Sequence, residues 1–460
     1  MNSLLASIGT AIFILILFWL DREKRIKNSH ALWIPTLWLL VVGSRPITVW
    51  FNIQPMDRSG TPVGTESSAV DAAFYSFLIL CALVVLVRRS SALLPLLRKN
   101  LPLILFFAYC LLSVMWADFP FVALKRWVKT IGEFVMVLVV LTDRFPEQAI
   151  KRFFTRTAFL LIPLSILFIK YYPDKGTTIN VWTYEPTFNG VSENKNMLGM
   201  LCLVSGINSV WCFANAFFDL QMKTRMRNMA AHLFLLLMVV WLLKIANSVT
   251  SFSCFALAGT IVAILSIKAT RNRTVVAHAL VGSAILLATF ALFFDSGGSM
   301  VQSLGRNSTL TGRTSIWAAV LSVHSNPIIG AGFENFWTGD RMVKVWEKTA
   351  VGIQEAHNGY LEVYLNLGFA GIAALAFAIA RGYQSILREY RLGWHCGRLR
   401  IGLFAAGLIY SLSEAGFRQL SVIWIAFMLS LTVVPQFQRR KNEAGLPAAA
   451  PVRRAPTGIL

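Results

Sequence analysis

Residues 229–267 read MAAHLFLLLMVVWLLKIANSVTSFSCFALAGTIVAILSI, which is two apolar runs joined by a short polar link. A helix needs about 20 apolar residues to cross the hydrocarbon core of a bilayer, and each run comes close to that length. Similar runs recur from one end of the 460-residue chain to the other. The pattern predicts a polytopic α-helical membrane protein.

The composition supports this interpretation. Apolar residues make up 56% of the chain and charged residues only 14%, whereas soluble domains average about 45–50% apolar and about 25% charged residues. A soluble enzyme and a disordered chain are therefore excluded. The net charge of +21 would suggest a nucleic-acid partner in a soluble protein. In a membrane protein, loops on one face can carry such an excess of basic residues. We therefore expect no nucleic-acid partner.

Apolar runs without sustained charge are candidate spans. They predict an all-α bundle of about 12–13 spans in a transmembrane domain at 1–437. The runs lie at about 3–20, 31–51, 71–87, 101–117, 125–142, 156–172, 197–218, 229–246, 252–267, 275–294, 357–380, 401–417 and 421–436. Residues 438–460 are basic and then rich in Ala and Pro, which predicts a disordered cytoplasmic tail.

The basic residues fall mainly on one face when the runs alternate across the membrane. That face holds 28 of the 43 Lys and Arg but only 7 of the 22 acids, while the rest of the chain holds 15 of each. Because Lys and Arg accumulate in cytoplasmic loops, we predict that this face is cytoplasmic. The first run precedes its basic cluster, so we predict a retained helix with its N-terminus outside rather than a signal peptide.

Two long loops then lie outside, at about 173–196 and 295–356, and loops of such length usually have structure or function. In the second loop, a helix over 313–324 with an apolar face is predicted to lie on the membrane surface. Asn326-Pro327 ends this helix. A turn at 330–332 then leads to a second short helix, which we predict within 334–348.

Several motifs of well-known enzyme classes are absent from the sequence, including the Walker sequence, HExxH, GxSxG and DxD. The glycines at 330–332 follow no predicted strand, and they lack the third glycine of a dinucleotide fingerprint. We therefore expect no cofactor and no metal ion.

His357 is the leading candidate for catalysis, because it lies where the second loop enters a span. A helix N-terminus carries a positive partial charge, so an imidazole here is expected to stay neutral, as a general base requires. The structural alternative is an interfacial histidine that only hydrogen-bonds a backbone carbonyl.

Other charged side chains of the outside loops are candidates for binding. Arg313 can bind phosphate oxygens with two parallel hydrogen bonds, and Lys195 can act as a point charge beside them. The alternatives are an arginine that contacts lipid headgroups and an ordinary lysine that flanks a span. Glu414 and Arg418 lie in one short turn, and they are expected to pair with each other.

Three motifs carry a resemblance to a known family. They are Gly312-Arg313-Thr314-Ser315-Ile316-Trp317, then 326–333 (NPIIGAGF), and then 356–361 (AHNGYL) running on to Leu367-Gly368. Their order and spacing resemble the O-antigen ligase and polymerase superfamily (Wzy_C-like) of bacterial envelope proteins. The segment at 189–196 (NGVSENKN) resembles the exopolysaccharide-polymerase branch, the group of the succinoglycan polymerisation protein.

The resemblance implies a metal-independent glycosyltransferase on the periplasmic side of the bacterial inner membrane. The donor would be an undecaprenyl-diphosphate-linked oligosaccharide, and the acceptor a hydroxyl of a second glycan. It further implies that His357 is the catalytic base and that Arg313 binds the diphosphate, with Lys195 in the place of a further arginine of the ligases. The supporting candidates are Glu193, Asn358, Tyr364 and Arg418.

The sequence leaves three functions open. The SENKN segment favours a polymerase that joins lipid-linked repeat units of an exopolysaccharide or O-antigen. The alternatives are an O-antigen ligase that transfers glycan to lipid A core, and a transporter or flippase of lipid-linked sugars. A transporter would be expected to place charges at mid-membrane, and few charges fall at the centres of the runs. The lipid bilayer, a repeat-unit flippase and a chain-length regulator are expected partners.

Overall fold

The computed structural model describes residues 2–22, 28–53, 68–179, 184–220, 223–294, 310–323, 325–349 and 352–435. Across these ranges the chain is helical apart from turns, links and one short hairpin. The predicted all-α polytopic fold is confirmed. The predicted tail at 438–460 lies outside the described residues.

Eighteen α-helices and two short strands follow one another along the described residues. They are α1 (Ser3–Leu20), α2 (Trp33–Val42), α3 (Ile47–Trp50), α4 (Ala69–Arg88), α5 (Ser90–Lys99), α6 (Leu101–Leu112), α7 (Pro120–Leu141), α8 (Pro146–Tyr171), α9 (Pro173–Gly176), β1 (Thr177–Ile179), β2 (Pro186–Phe188), α10 (Lys195–Phe218), α11 (Arg225–Ala246), α12 (Val249–Ser266), α13 (Thr274–Phe294), α14 (Leu310–Ser322), α15 (Gly339–Thr349), α16 (Gly359–Arg391), α17 (His395–Ser413) and α18 (Val422–Leu431). Strands β1 and β2 pair antiparallel, with Thr178 opposite Thr187.

The N-termini of several helices are stabilised by a capping side chain or begin with a proline. The side chains of Asn2, Ser68 and Asn194 each accept a hydrogen bond from a backbone N–H in the first turn of α1, α4 and α10. These bonds satisfy donors that have no partner within the helix. Pro120 and Pro146 begin α7 and α8, where the missing N–H of proline would have no intrahelical partner anyway.

Each predicted apolar run contains a helix among the described residues, but fewer helices qualify as spans than the number predicted. Among the described residues, eight helices are long and apolar enough to cross a membrane. Helices α5 and α6 are bent by 83° relative to each other, and they raise the number to nine if they form one span. Of the other runs, α2 and α18 are short, and α7 and α17 carry several charged residues.

Some of these charges are fully buried between helices. The carboxylate of Glu133 lies inside the bundle on α7, and an ion pair between Glu389 and Arg400 joins α16 to α17. The expectation of few charges within the runs is therefore met only in part. An apolar run with a buried charge cannot be told from a membrane span by hydropathy, because both are helices packed in apolar surroundings.

Helix α10 lies at the centre of the bundle. It packs against α8, α11, α12 and α17, and 78% of its most apolar 18-residue stretch is buried, compared with 11% for α1. Lipid chains cannot form hydrogen bonds with polar groups, so a helix surface that faces lipid must be apolar. The exposed apolar side chains of α1 and the other outer helices fit that requirement. The helix that begins at Lys195 is therefore largely enclosed by other helices.

The second long loop folds on itself above the bundle. Helices α14 and α15 are both present, as predicted, and they pack around a small apolar core that includes Val320, Phe336 and Val345. The predicted apolar face of the first helix is divided, since Val320 is buried whereas Leu321 is 57% exposed. His324 lies outside the described residues.

The turn at 330–332 docks onto a break in α16. Gly368 has φ 64° and ψ −166°, so the helix is interrupted there and leaves carbonyl oxygens available. The N–H groups of Ala331 and Gly332 donate to the carbonyls of Leu365 and Asn366 at 3.0 and 2.9 Å. A Cβ on Gly368 would come within 2.3 Å of the Ile328 backbone, so glycine allows this close approach. The turn therefore fixes the loop to the span that follows His357.

Candidate active site

The link before α16 presents His357 at the top of that helix. Asn358 caps α16, because its side-chain oxygen accepts hydrogen bonds from the N–H groups of Tyr360 and Leu361, both at 3.0 Å. The Asn358 amide also donates to the carbonyl of Leu412 on α17, at 3.1 Å. His357 itself has a left-handed backbone with φ 49°, an uncommon conformation for a residue other than glycine. The predicted supporting residue Asn358 thus holds this link between two helices.

Two carboxylates converge on one nitrogen of His357. The Nδ1 atom lies 3.0 Å from Glu355 Oε1 and 3.2 Å from Glu414 Oε2. Glu414 ends α17, and its other oxygen accepts a hydrogen bond from Arg313 Nη2 at 3.1 Å. The structure thus brings together three of the residues singled out from the sequence. We call Glu355, His357, Glu414 and Arg313 the histidine cluster.

The carboxylates reverse the predicted ionisation of His357. Burial alone would lower its pKa, but the hydrogen bonds and charges of Glu355 and Glu414 outweigh burial and raise the pKa to about 10. At neutral pH the side chain is therefore an imidazolium. The expected neutral imidazole was wrong, because a helix N-terminus contributes about 0.3–1 kcal/mol, which is less than two nearby carboxylates contribute.

The same contacts act on Glu355 in the opposite direction. Burial alone would raise the pKa of Glu355, but His357 and Arg418 outweigh burial and lower the pKa below its usual value. Glu355 is therefore ionised at neutral pH. The cluster is a set of mutually stabilised charges rather than a lone base.

Arg418 does not form the predicted pair with Glu414 and instead contacts two other carboxylates. It lies 3.5 Å from Glu355 and 3.8 Å from Glu334, which belongs to the loop turn. The prediction relied on the short spacing within the turn. The structure shows that Glu414 is directed to His357 and Arg313, while Arg418 faces the link and the folded loop.

Glu362, in the first turn of α16, connects the segments that flank His357. Its carboxylate accepts hydrogen bonds from Trp337 Nε1 at 2.9 and 3.0 Å and from the backbone N–H of Ala356. It therefore joins the loop, the link and the helix beside His357. Neither Glu362 nor Glu355 was assigned a role from the sequence, although a carboxylate two residues before His357 was visible there.

A cavity of about 490 Å³ opens beside the histidine cluster. Glu355, Glu414 and Arg418 line one side, and Glu193 and Lys195 at the start of α10 line another. Lys129 of α7 and the side chains of Asp71 and Tyr75 on α4 also face it. The cavity thus connects the two outside segments that the sequence marked as informative.

The segment before α10 is held in place by Arg45. Its guanidinium donates to the carbonyls of Gly190 and Ser192, at 3.1 and 3.2 Å. Burial raises the pKa of the nearby Glu193 carboxyl, and the charge of Arg45 acts in the opposite direction. These contacts fix the backbone that leads to Lys195 at the cavity wall.

Glu355, His357 and Glu414 could also hold a metal ion, since their ligand atoms lie within 4.8 Å of one another. The sequence did not predict this group, because Glu414 comes from a distant helix. However, Glu414 already pairs with Arg313, and Glu355 pairs with Arg418. A histidine must be deprotonated before it can bind a metal, so the observed charges favour an anion near the arginines over a divalent cation.

One predicted supporting residue does not join the site. Tyr364 packs against Phe369 with the ring centres 5.0 Å apart, and it lies against the apolar core of the folded loop. The helical spacing from His357 identified it, but that spacing also places a side chain against neighbouring loop residues. Its contacts are those of a packing residue.

Comparison with known proteins supports the predicted resemblance. Residues 224–376 match the family described as O-Antigen ligase, a range that includes Arg313 and His357. The exopolysaccharide production protein ExoQ of Rhizobium meliloti (strain 1021) is 23% identical over 296 residues, which are 62% of this chain and 64% of that protein. The matched region therefore spans less than two thirds of that relative's length.

A second relative comes from Rickettsia prowazekii (strain Madrid E) and carries the provisional name of a polysaccharide ligase. It is 23% identical over 349 residues, which are 72% of this chain and 80% of the relative. The resemblance to the O-antigen ligase and polymerase superfamily is confirmed at this low identity. The two relatives carry the names of two different activities.

Proposed function

We propose that this chain is a polysaccharide polymerase that transfers glycan from an undecaprenyl-diphosphate-linked donor to a hydroxyl of a second glycan. The observation that carries the proposal is the histidine cluster, whose members Glu355 and Glu414 line the 490 Å³ cavity together with Lys195 and Arg418. A titratable group, fixed cations and a roomy pocket at one end of an apolar bundle are what transfer from a lipid-linked anion requires.

The cations serve the leaving group in this proposal. When the bond between the sugar C1 and the phosphate oxygen breaks, undecaprenyl diphosphate departs with negative charge. Arg313, Lys195 and Arg418 would stabilise that charge, as preorganised cations do in a site that excludes water. Arg313 can bind two phosphate oxygens at once, whereas Lys195 acts as a point charge.

His357 would serve the acceptor. The acceptor oxygen forms a new bond to the sugar C1, and its proton passes to Nε2 of His357, because the carboxylates already occupy Nδ1. His357 can accept this proton only after it has lost one of its own. The carboxylates thus orient the ring and make it a stronger base, but they leave a small fraction of it in the active form at neutral pH.

The proposed reaction needs no metal ion. In many glycosyl transfers a divalent ion neutralises the departing diphosphate, and here the arginines and Lys195 would take that task. The proposed location is the bacterial inner membrane, with the N-terminus and the cluster periplasmic and the C-terminus cytoplasmic. The charge asymmetry of the sequence supports this orientation. A cysteine at Thr178 should then react with an impermeant reagent in intact cells, and a cysteine at Arg273 should not.

A ligase is the second candidate, because one of the two relatives carries a ligase name. The polymerase is favoured by the SENKN segment, and the relative from Rhizobium meliloti is named for exopolysaccharide production. A lipid-linked sugar transporter is the third candidate, which the buried charges of the bundle would suit.

The test is a reaction of purified full-length protein with a synthetic undecaprenyl-diphosphate-linked repeat unit, with and without lipid A core. A polymerase yields a ladder of multimers and releases undecaprenyl diphosphate without the core acceptor. A single transfer that depends on lipid A core would identify a ligase. Donor that crosses a proteoliposome membrane unchanged would identify a transporter and reject the proposal.

A further inference from the structure

A second cavity lies at the opposite ends of the same helices. It has a volume of about 250 Å³ and is enclosed by the ends of α10 and α12, the link after α12 and the start of α17. The cations that line it are Lys268, Arg271 and Arg398, with His395 beside them. Asp219 is the acid in its lining. We call these residues the basic cavity.

Arg398 forms the floor of the basic cavity. It is only 4% exposed, and its guanidinium donates to Asn215 Oδ1 and to His395 Nδ1, both at 2.8 Å. In the described part of the chain, no carboxylate forms an ion pair with it. The charge of Glu147 offsets that of Arg398 in part. A buried guanidinium that lacks a direct ion pair is further stabilised when an anion binds beside it.

The other cations increase this imbalance. Arg271 lies close enough to Arg398 to repel it electrostatically. Neither Lys268 nor Arg271 pairs with an acid among the residues that the structure describes. Three permanent positive charges thus share a pocket with one acid, which is the opposite of the balanced histidine cluster.

Exposed apolar side chains neighbour the lining residues in sequence. Phe217 of α10, Leu220 just after α10 and Ile267 before Lys268 are 47%, 71% and 43% exposed. A free anion gains nothing from these apolar side chains, whereas a lipid can place its phosphate on the cations and its acyl chains on the apolar side chains. Basic pockets between transmembrane helices are known to take lipid headgroups of this kind.

We propose that the basic cavity binds the phosphate of an anionic membrane lipid, such as a phosphatidylglycerol. The site is independent of the proposed glycosyl transfer, since it lies at the other end of the bundle and shares no residue with the first cavity. Its expected role is to hold α10, α12 and α17 together at the membrane surface where their ends meet.

The test measures lipid binding to the full-length protein in detergent by native mass spectrometry. Phosphatidylglycerol, phosphatidylcholine and inorganic phosphate are the three probes. The variant Lys268→Gln/Arg271→Gln removes the two exposed cations and leaves the buried Arg398, so that folding is spared. Arg273→Gln is the matched control, because it removes the same charge from the same link but lies outside the cavity lining.

The double variant is expected to bind phosphatidylglycerol about 30-fold more weakly than the unaltered protein, since each surface cation changes the affinity about fivefold. Arg273→Gln should bind it as the unaltered protein does, and phosphatidylcholine should bind weakly to all three. Equal phosphatidylglycerol binding by all three proteins, or an equal loss in the control, would overturn the site. Inorganic phosphate that binds as tightly as phosphatidylglycerol would overturn the assignment to a lipid.

Discussion

The two ends of the bundle both gather cations, but they balance them differently. In the histidine cluster Glu355 and Glu414 lie against His357 and Arg313, and Arg418 contacts Glu355 from the neighbouring turn. In the basic cavity the cations around Arg398 share one lining acid. A balanced set of charges can set the proton affinity of one member, whereas an unbalanced set attracts a counterion. The first arrangement suits chemistry on a bound substrate, and the second suits binding alone.

The assignment of chemistry to the histidine cluster depends most strongly on His357. His357→Ala should lower the rate of polymer formation about 10²–10⁴-fold, the usual loss when a general base is removed. The protein should still insert and fold, which is checked by its yield and size-exclusion profile. His324→Ala is the control on the same loop and should retain most activity. An inactive His324 variant beside an active His357 variant would move the base to the 313–324 helix.

Arg313 tests whether the cluster also holds the leaving group. Arg313→Ala should lower kcat/KM about 10²-fold, the scale of one lost charge-stabilising donor. Arg313→Lys should rescue poorly, because lysine cannot bind two phosphate oxygens in parallel. The control is Arg341→Ala, which removes another arginine of the folded loop and breaks its ion pair with Asp118, just before α7. Full activity of the Arg313→Lys variant would contradict bidentate binding.

Lys195 tests whether the far wall of the cavity belongs to the same site. Lys195→Ala should raise the KM for the lipid-linked donor about tenfold and leave the KM for the acceptor unchanged, because one point charge on the diphosphate is lost. Lys175→Ala removes a lysine from the preceding outside segment and should have no effect. A change confined to the acceptor KM would place Lys195 on the wrong substrate.

Chelation should have the smallest effect. Activity on the lipid-linked repeat unit should be the same with and without EDTA, because arginines already pair with the carboxylates that could ligate a metal. The assay compares initial rates of undecaprenyl diphosphate release. Activity that disappears with EDTA and returns with magnesium would assign Glu355, His357 and Glu414 to a metal ion instead.

The sequence predicted the helical architecture well, because long apolar runs have few alternatives in a bilayer. It predicted about 12–13 spans, and eight helices of the described residues, or nine with α5 and α6 taken as one span, have the length and hydropathy of a span. Helices α7 and α17 fall outside that number because they carry charges within their apolar runs. The helices of the folded loop followed from spacing and from the Asn326-Pro327 stop. Their packing around Val320 and Phe336 depends on contacts between distant residues, which spacing alone does not show.

The sequence picked out only part of the candidate site, and it did not give the ionisation of His357. Arg313, His357, Glu414 and Arg418 could be picked out as charged or titratable residues of the predicted loops and link, whereas Glu355 was not. Which of them would pair depended on α14, α16 and α17 meeting at one point. The position of His357 at a helix N-terminus therefore predicted a neutral side chain. The contacts with Glu355 and Glu414 instead raise its pKa, so the side chain is protonated at neutral pH.

The most direct test is the pH dependence of kcat/KM for polymer formation by the unaltered protein. The carboxylates raise the pKa of His357 to about 10, so below that pH the deprotonated fraction rises about tenfold with each unit of increase in pH. If His357 is the base, kcat/KM should rise about tenfold per unit between about pH 6 and 9 and level off near 10. A profile that is flat or falls over that range would show that the imidazolium is the active form, and it would contradict the role of His357 as base.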